Sequence, residues 1–161
     1  MTVKAVTVAH RGGMRFTATN PLGHSLTMDD ADGGGGPGPT EAVLAALAGC
    51  TGMDVISILR KKRQELTTYG LEARADQRDD YPQVFTRVDL VHVVEGPAVD
   101  ETAVRRAVEL SALKYCPVSA MLSAGTVEVH HHYRILRPDG TAAEGEVVVR
   151  GPGAPAVVAV A

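Results

Sequence analysis

Apolar and polar positions alternate in short pieces over the first 28 residues: Val3 to Ala9, a Gly12-Gly13 break, Met14 to Thr19, the turn Asn20-Pro21-Leu22-Gly23, then His24 to Met28. Alternation at period two between turn residues predicts a small antiparallel meander. Asp29 to Pro39 carries four consecutive glycines and two prolines, a composition that reads as a flexible surface loop. The pattern then changes. Pro39 and Glu41 stand at a start, Arg60 to Arg63 form a basic end, and together they predict one long helix. Between Ala42 and Leu59 only Thr51, Asp54 and Ser57 are polar, so this helix has no solvent face and is expected to be buried. At about 1.5 Å per residue it is roughly 37 Å long, more than so small a domain covers on all sides, and a second copy of the chain is the natural cover. Gly49, Gly52 and Asp54 interrupt the apolar run and speak against a membrane span.

Period two returns over Leu66 to Ala75, with Tyr69, Leu71, Ala73 and Ala75 on one face, and over Val84 to Val94, with Val88, Leu90 and Val94 on one face. Asp100 is a good N-cap for a helix that turns Val104, Ala107, Val108 and Ser111 inward. Pro117 forces that helix to stop near Tyr115 and opens a short second one that Gly125 ends, followed by a strand over Thr126 to Leu136. Strands and helices are segregated, which predicts the α+β class. Residues 1–136 read as a single domain. Residues 137–161, rich in Gly, Pro, Ala and Val, read as a C-terminal extension in which Glu146 to Arg150 and Ala156 to Val160 are candidate edge strands.

Composition narrows the function classes. The chain has 161 residues, 45% of them hydrophobic and 22% charged, which fits a globular domain and excludes extended disorder. A net charge of −3 with no Trp leaves neither the positive surplus nor the stacking platforms that a nucleic-acid partner requires. No apolar run follows the first basic residue, so no export signal is visible and a cytoplasmic protein is expected.

The reactive candidates are the two cysteines, too few for a disulfide scaffold. Cys50 sits mid-helix among apolar neighbours that raise a thiol's pKa unless a cation reaches it. Cys116 precedes Pro117 at the N-cap of the short helix, where free backbone N–H groups favour a thiolate. Two thiols in such different surroundings suggest a redox pair. His130 and His132 share a strand face, but two ligands do not make a zinc site, so neither metal nor cofactor is expected. His92 reads as a partly buried histidine with a hydrogen-bond partner, and Asp54 as a buried acid paired across a dimer. Gly33 to Gly36 lack the Lys-Ser/Thr that a phosphate loop needs.

The segments PTEAVLAALAGCTGMDVISILRKKRQ and VRRAVELSALKYCPVSAML, preceded by a strand-rich leader with Phe16 and GHSLTMD, resemble the OsmC/Ohr family of thiol-dependent hydroperoxide reductases. The resemblance covers residues 3 to about 135. It implies an intertwined homodimer with antiparallel sheets wrapped around long central helices. It further implies that Cys50 attacks an organic hydroperoxide, that Cys116 resolves the product as a disulfide, and that an external thiol or dithiol restores both. Family members add a Glu near the helix start and an Arg from the N-terminal strands. Here Thr40 stands ten positions before Cys50, where well-studied members keep Glu, and Glu41 stands nine before it, about two and a half turns away and on the opposite face. Arg15 and Arg11 are the available cations. The alternative within the same scaffold is a non-catalytic dimer that binds a small lipophilic molecule.

Overall fold

The N-terminal alternation folds as three short strands, β1 (Thr7–His10), β2 (Phe16–Thr19) and β3 (Ser25–Met28), paired antiparallel in chain order. The computed structural model describes residues 2–30, 32–125, 128–149 and 159–160. It divides into two compact units, Met1–Ala45 and Ala46–Ala161. In the first, the β2–β3 turn is closed by Asn20, whose side-chain oxygen accepts the N–H groups of Leu22 and His24, both at 3.0 Å. After β3 the chain folds back on an ion pair: Arg15 Nε donates to Asp29 Oδ2 at 2.9 Å, and Asp29 is buried. A Cβ at Gly33 would strike Asp29, and one at Gly35 would strike both members of the pair, so the glycine run allows the loop's close approach to this pair.

Helix α1 runs over Pro39–Lys61. Its start is fixed by Glu41, whose carboxylate accepts the Gly38 N–H at 2.8 Å. It stops two residues short of Arg63, because Arg63 adopts the left-handed conformation (φ 56°) and the Gln64 N–H turns back to the Leu59 carbonyl at 3.0 Å. By length and composition alone α1 could cross a membrane. Its buried residues, Leu47, Thr51, Val55 and Leu59, recur every fourth position, the single stripe of a helix that packs on a core.

The second unit is a five-stranded sheet in the order β4 (Thr68–Gln77), β5 (Phe85–Glu95), β6 (Glu128–Leu136), β7 (Ala142–Val149) and β8 (Ala159–Val160). Thr126, Val127, Arg150 and 156–158, which the sequence places in strands, lie outside the described residues. One expectation is corrected: the sheet is not wholly antiparallel, because β5 and β6 pair in parallel. The cause is the connection between them, α2 (Glu101–Leu110), a π-type turn over Ser111–Tyr115 and α3 (Pro117–Ser123), which returns the chain to the end where β5 began. Asp100 caps α2 as its sequence position suggests, accepting the Thr102 N–H at 3.0 Å.

Strand alternation divides this sheet sharply. Val88, Leu90, His92 and Val94 of β5 and Val129, His131, Tyr133 and Ile135 of β6 are buried on the inner face, beneath Val104, Ala107 and Val108 of α2. Gly52 of α1 belongs to the same face, since a Cβ there would press on Leu71. His92 is fully buried and shares a 2.8 Å hydrogen bond with the Tyr69 hydroxyl.

Candidate active site

Two elements of the 46–161 unit bring the cysteines together. Cys50 lies on α1, half-buried, and Cys116 lies at the N-cap of α3, 3% exposed. The π-type turn makes this possible. Its widened ring, closed by the Cys116 N–H to the Ser111 carbonyl at 2.9 Å, lets the chain change direction before Pro117 and leaves Cys116 in an extended conformation (φ −75°, ψ 104°). Such single π turns recur at functional sites.

The sulfurs sit in a small polar pocket within an apolar surround. Cys116 Sγ accepts the Ser119 N–H and the Thr51 hydroxyl, both at 3.4 Å. The Cys50 thiol lies near enough to Cys116 and to the Val118 N–H for both to act on its protonation. The first turn of α3 thus donates the Ser119 N–H to Cys116 and brings the Val118 N–H near Cys50, and α1 adds Thr51. Burial pushes the Cys50 thiol above its ordinary pKa, the neighbouring Cys116 adds to the rise, the Val118 N–H opposes it, and the Asp54 carboxylate raises it a little further. Asp54, expected to pair across a dimer, is held by Ser111, whose hydroxyl donates to its Oδ2 at 3.0 Å.

The remaining predicted residues belong to the other unit. Glu41 is engaged at the α1 start by the Gly38 N–H, and Arg15 is engaged by Asp29. Sequence reasoning missed Thr51, Ser111, Val118 and Ser119. In the sequence Thr51 is only one of three polar interruptions in α1, and Ser111 only an inward position of the second helix, with nothing that ties either to a thiol. The others depend on the π-type turn, which has no signature in the sequence.

Chemically, two neighbouring thiols between two helices can interconvert between a dithiol and a disulfide. The donors around them can stabilise negative charge on sulfur as it develops.

Known proteins agree with this architecture. The family model described as OsmC-like protein matches residues 31–132. Protein YhfA of Escherichia coli (strain K12) is 38% identical over 124 residues, 77% of this chain and 92% of YhfA. A crystal structure of a hypothetical protein from Aquifex aeolicus VF5 superposes with a TM-score of 0.75 at 28% identity, covering 85% of this chain and 98% of that one. The organic hydroperoxide resistance protein OhrB of Bacillus subtilis shares the fold at a TM-score of 0.56 and 20% identity, covering 82% and 98%. Both the matched segment, which contains Cys50 and Cys116, and the extent of the YhfA alignment identify the chain as a member of the OsmC-like protein family.

Proposed function

We propose that this protein is a thiol peroxidase that reduces organic hydroperoxides. The observation that carries the reading is the proximity of the Cys50 and Cys116 thiols, with the Ser119 N–H donated to Cys116 and the Val118 N–H beside Cys50. The Cys50 thiolate attacks the distal oxygen of ROOH. The O–O bond breaks, the alkoxide leaves and takes a proton as ROH, and Cys50 becomes a sulfenic acid. The Cys116 sulfur then attacks Cys50 Sγ and expels water, leaving a disulfide that an external dithiol reduces. Cys50 takes the attacking role because it is the more accessible sulfur, half-buried against a buried Cys116.

Burial holds Cys50 protonated, so attack requires a cation that offsets the desolvation. Arg15, set in place by Asp29, is proposed for that role, with Glu41 orienting it, within an intertwined homodimer in the cytoplasm. The dimer is supported by apolar side chains open to solvent in the single chain, among them Met53 on α1 and Met121 on α3, each 73% exposed. OhrB of Bacillus subtilis, whose fold the chain shares, is by name an organic hydroperoxide resistance protein.

The test is intact-mass analysis after one equivalent of an organic hydroperoxide, which should show two hydrogens lost per chain. Cys116→Ser should form a sulfenic acid that dimedone traps, and Cys50→Ser should form none. Labelling on Cys116 instead, or reaction no faster than free cysteine, would transfer the lead to a non-catalytic dimer that binds a lipophilic molecule.

A further inference from the structure

The outer face of the five-stranded sheet, away from the cysteines, collects a second set of reactive side chains. Asp89 of β5 stands directly opposite His130 of β6 in the parallel ladder, and His132 of β6 stands directly opposite Glu146 of β7. Alternation turns all four outward. His132 Nε2 lies 3.0 Å from Asp89 Oδ1 and 3.8 Å from Glu146 Oε1, and His130 Nδ1 lies 2.6 Å from Glu146 Oε1. One donor atom from each of Asp89, His130 and His132 falls within 4.8 Å of the other two.

From these positions we infer that Asp89, His130 and His132 form a binding site for a divalent metal ion of the zinc class, with Glu146 placed to add a second carboxylate. Zinc bonds to imidazole nitrogen and carboxylate oxygen are about 2.0–2.2 Å, which sets neighbouring donors on a tetrahedron about 3.4 Å apart. The His132–Asp89 and His132–Glu146 separations of 3.0 and 3.8 Å lie on either side of that value, and the His130 donor, within 4.8 Å of those of Asp89 and His132, has to move by about an ångström to join them. The donors stand on three adjacent hydrogen-bonded strands, which hold their Cα atoms at fixed spacing. His130 also has a carboxylate behind it: Glu128 Oε2 lies 3.3 Å from Nε2, the arrangement that fixes a ligating imidazole's tautomer and leaves Nδ1 for the metal. Two imidazoles with carboxylates favour zinc, cobalt or nickel over magnesium or calcium.

Arg87 is the resident competitor. Its Nε and Nη2 hold Asp89 Oδ2 and Oδ1 at 2.7 and 2.6 Å. A metal on Oδ1 displaces only the second of these bonds. The site borders an open groove of about 940 Å³ lined by Asp89, His132, Arg134 and Glu146 among others, so the ion is exchangeable from solvent.

The decisive measurement is titration of chelator-treated Cys50→Ser/Cys116→Ser protein with cobalt(II) and zinc(II). One ion per chain is expected, with cobalt d–d bands and no thiolate charge-transfer band. His130→Gln/His132→Gln in the same background should weaken binding by at least about 100-fold. Asp89→Asn should weaken it by a smaller factor, with circular dichroism and melting reporting that each variant is folded. Absence of binding at micromolar metal, or binding undiminished in the histidine variant, would overturn the inference. Because the background lacks both thiols, its failure would leave the peroxidase reading untouched.

Discussion

His130, His131 and His132 are consecutive residues of one strand, yet they face two different environments. The middle imidazole is fully buried, stacks on His92 with ring centroids 5.9 Å apart, and finds no hydrogen-bond partner for either nitrogen among the described residues. Burial pushes it down to about 4, and pushes His92 down to about 3. Its two neighbours point the other way and pair with Glu128, Glu146 and Asp89. Residue type is the same; strand parity decides whether the ring is a neutral core side chain or a polar ligand. The inner face, which also faces the cysteines' helices, excludes charge. The outer face concentrates it.

The contrast is broken most severely by moving a charge across the sheet. His131→Asp should cost more than about 4 kcal/mol and leave little folded protein, because it buries an unpaired carboxylate. Val93→Asp, on the outer face opposite Arg134, should cost about 1 kcal/mol, and chemical denaturation of both variants separates the cases. Equal costs would mean that the two faces are not electrostatically distinct.

Acid sharpens the same contrast. His92 and His131 have native pKa values below their ordinary 6.5, so the unfolded state binds more protons. Their contribution is complete above pH 6.5 and is lost as pH falls toward the native values, by about 1.4 kcal/mol per unit per ring. Melting between pH 7 and about 5 should therefore reveal a loss of roughly 4 kcal/mol, flattened in His92→Leu/His131→Leu. Asp89 behaves on a different scale. Its hydrogen bonds from Arg87, chiefly, hold it down from 3.8 to about 2, so its contribution persists above pH 3.8 and disappears only toward 2.

Glycines test packing on the two sides. A Cβ at Gly145 meets the Tyr133 ring on the inner face, whereas one at Gly70 meets nothing within 4 Å. Gly145→Ala should destabilise by about 1–3 kcal/mol, and Gly70→Ala should be neutral or stabilise by up to about 1 kcal/mol. Thermal melts give both signs directly.

The smallest effect concerns the thiols. Asp54 is a minor contributor to the raised Cys50 pKa, behind burial and Cys116. Asp54→Asn should lower that pKa slightly and speed alkylation of Cys50 a few-fold at neutral pH. An unchanged rate would show that burial and Cys116 set its reactivity without Asp54.

The sequence by itself determined the local elements, because their signals are local. Asp100 and Pro117 marked the ends of α2 and α3, Cys116 was legible as an N-cap, and the period-two runs located β4 to β6 within about two residues. The α1 motif around Cys50 and the Lys-Tyr-Cys segment were enough to indicate the family. Contacts between elements distant in sequence were not legible. That Cys50 and Cys116 lie near one another, that Ser111 donates to Asp54, and that β5 and β6 run parallel all follow from how the α2–α3 crossover folds back over the sheet. A strand pattern records which residues share a face but not which strand lies beside it. His130 and His132 therefore looked like two ligands short of a site in the sequence, and only sheet register set Asp89 and Glu146 next to them.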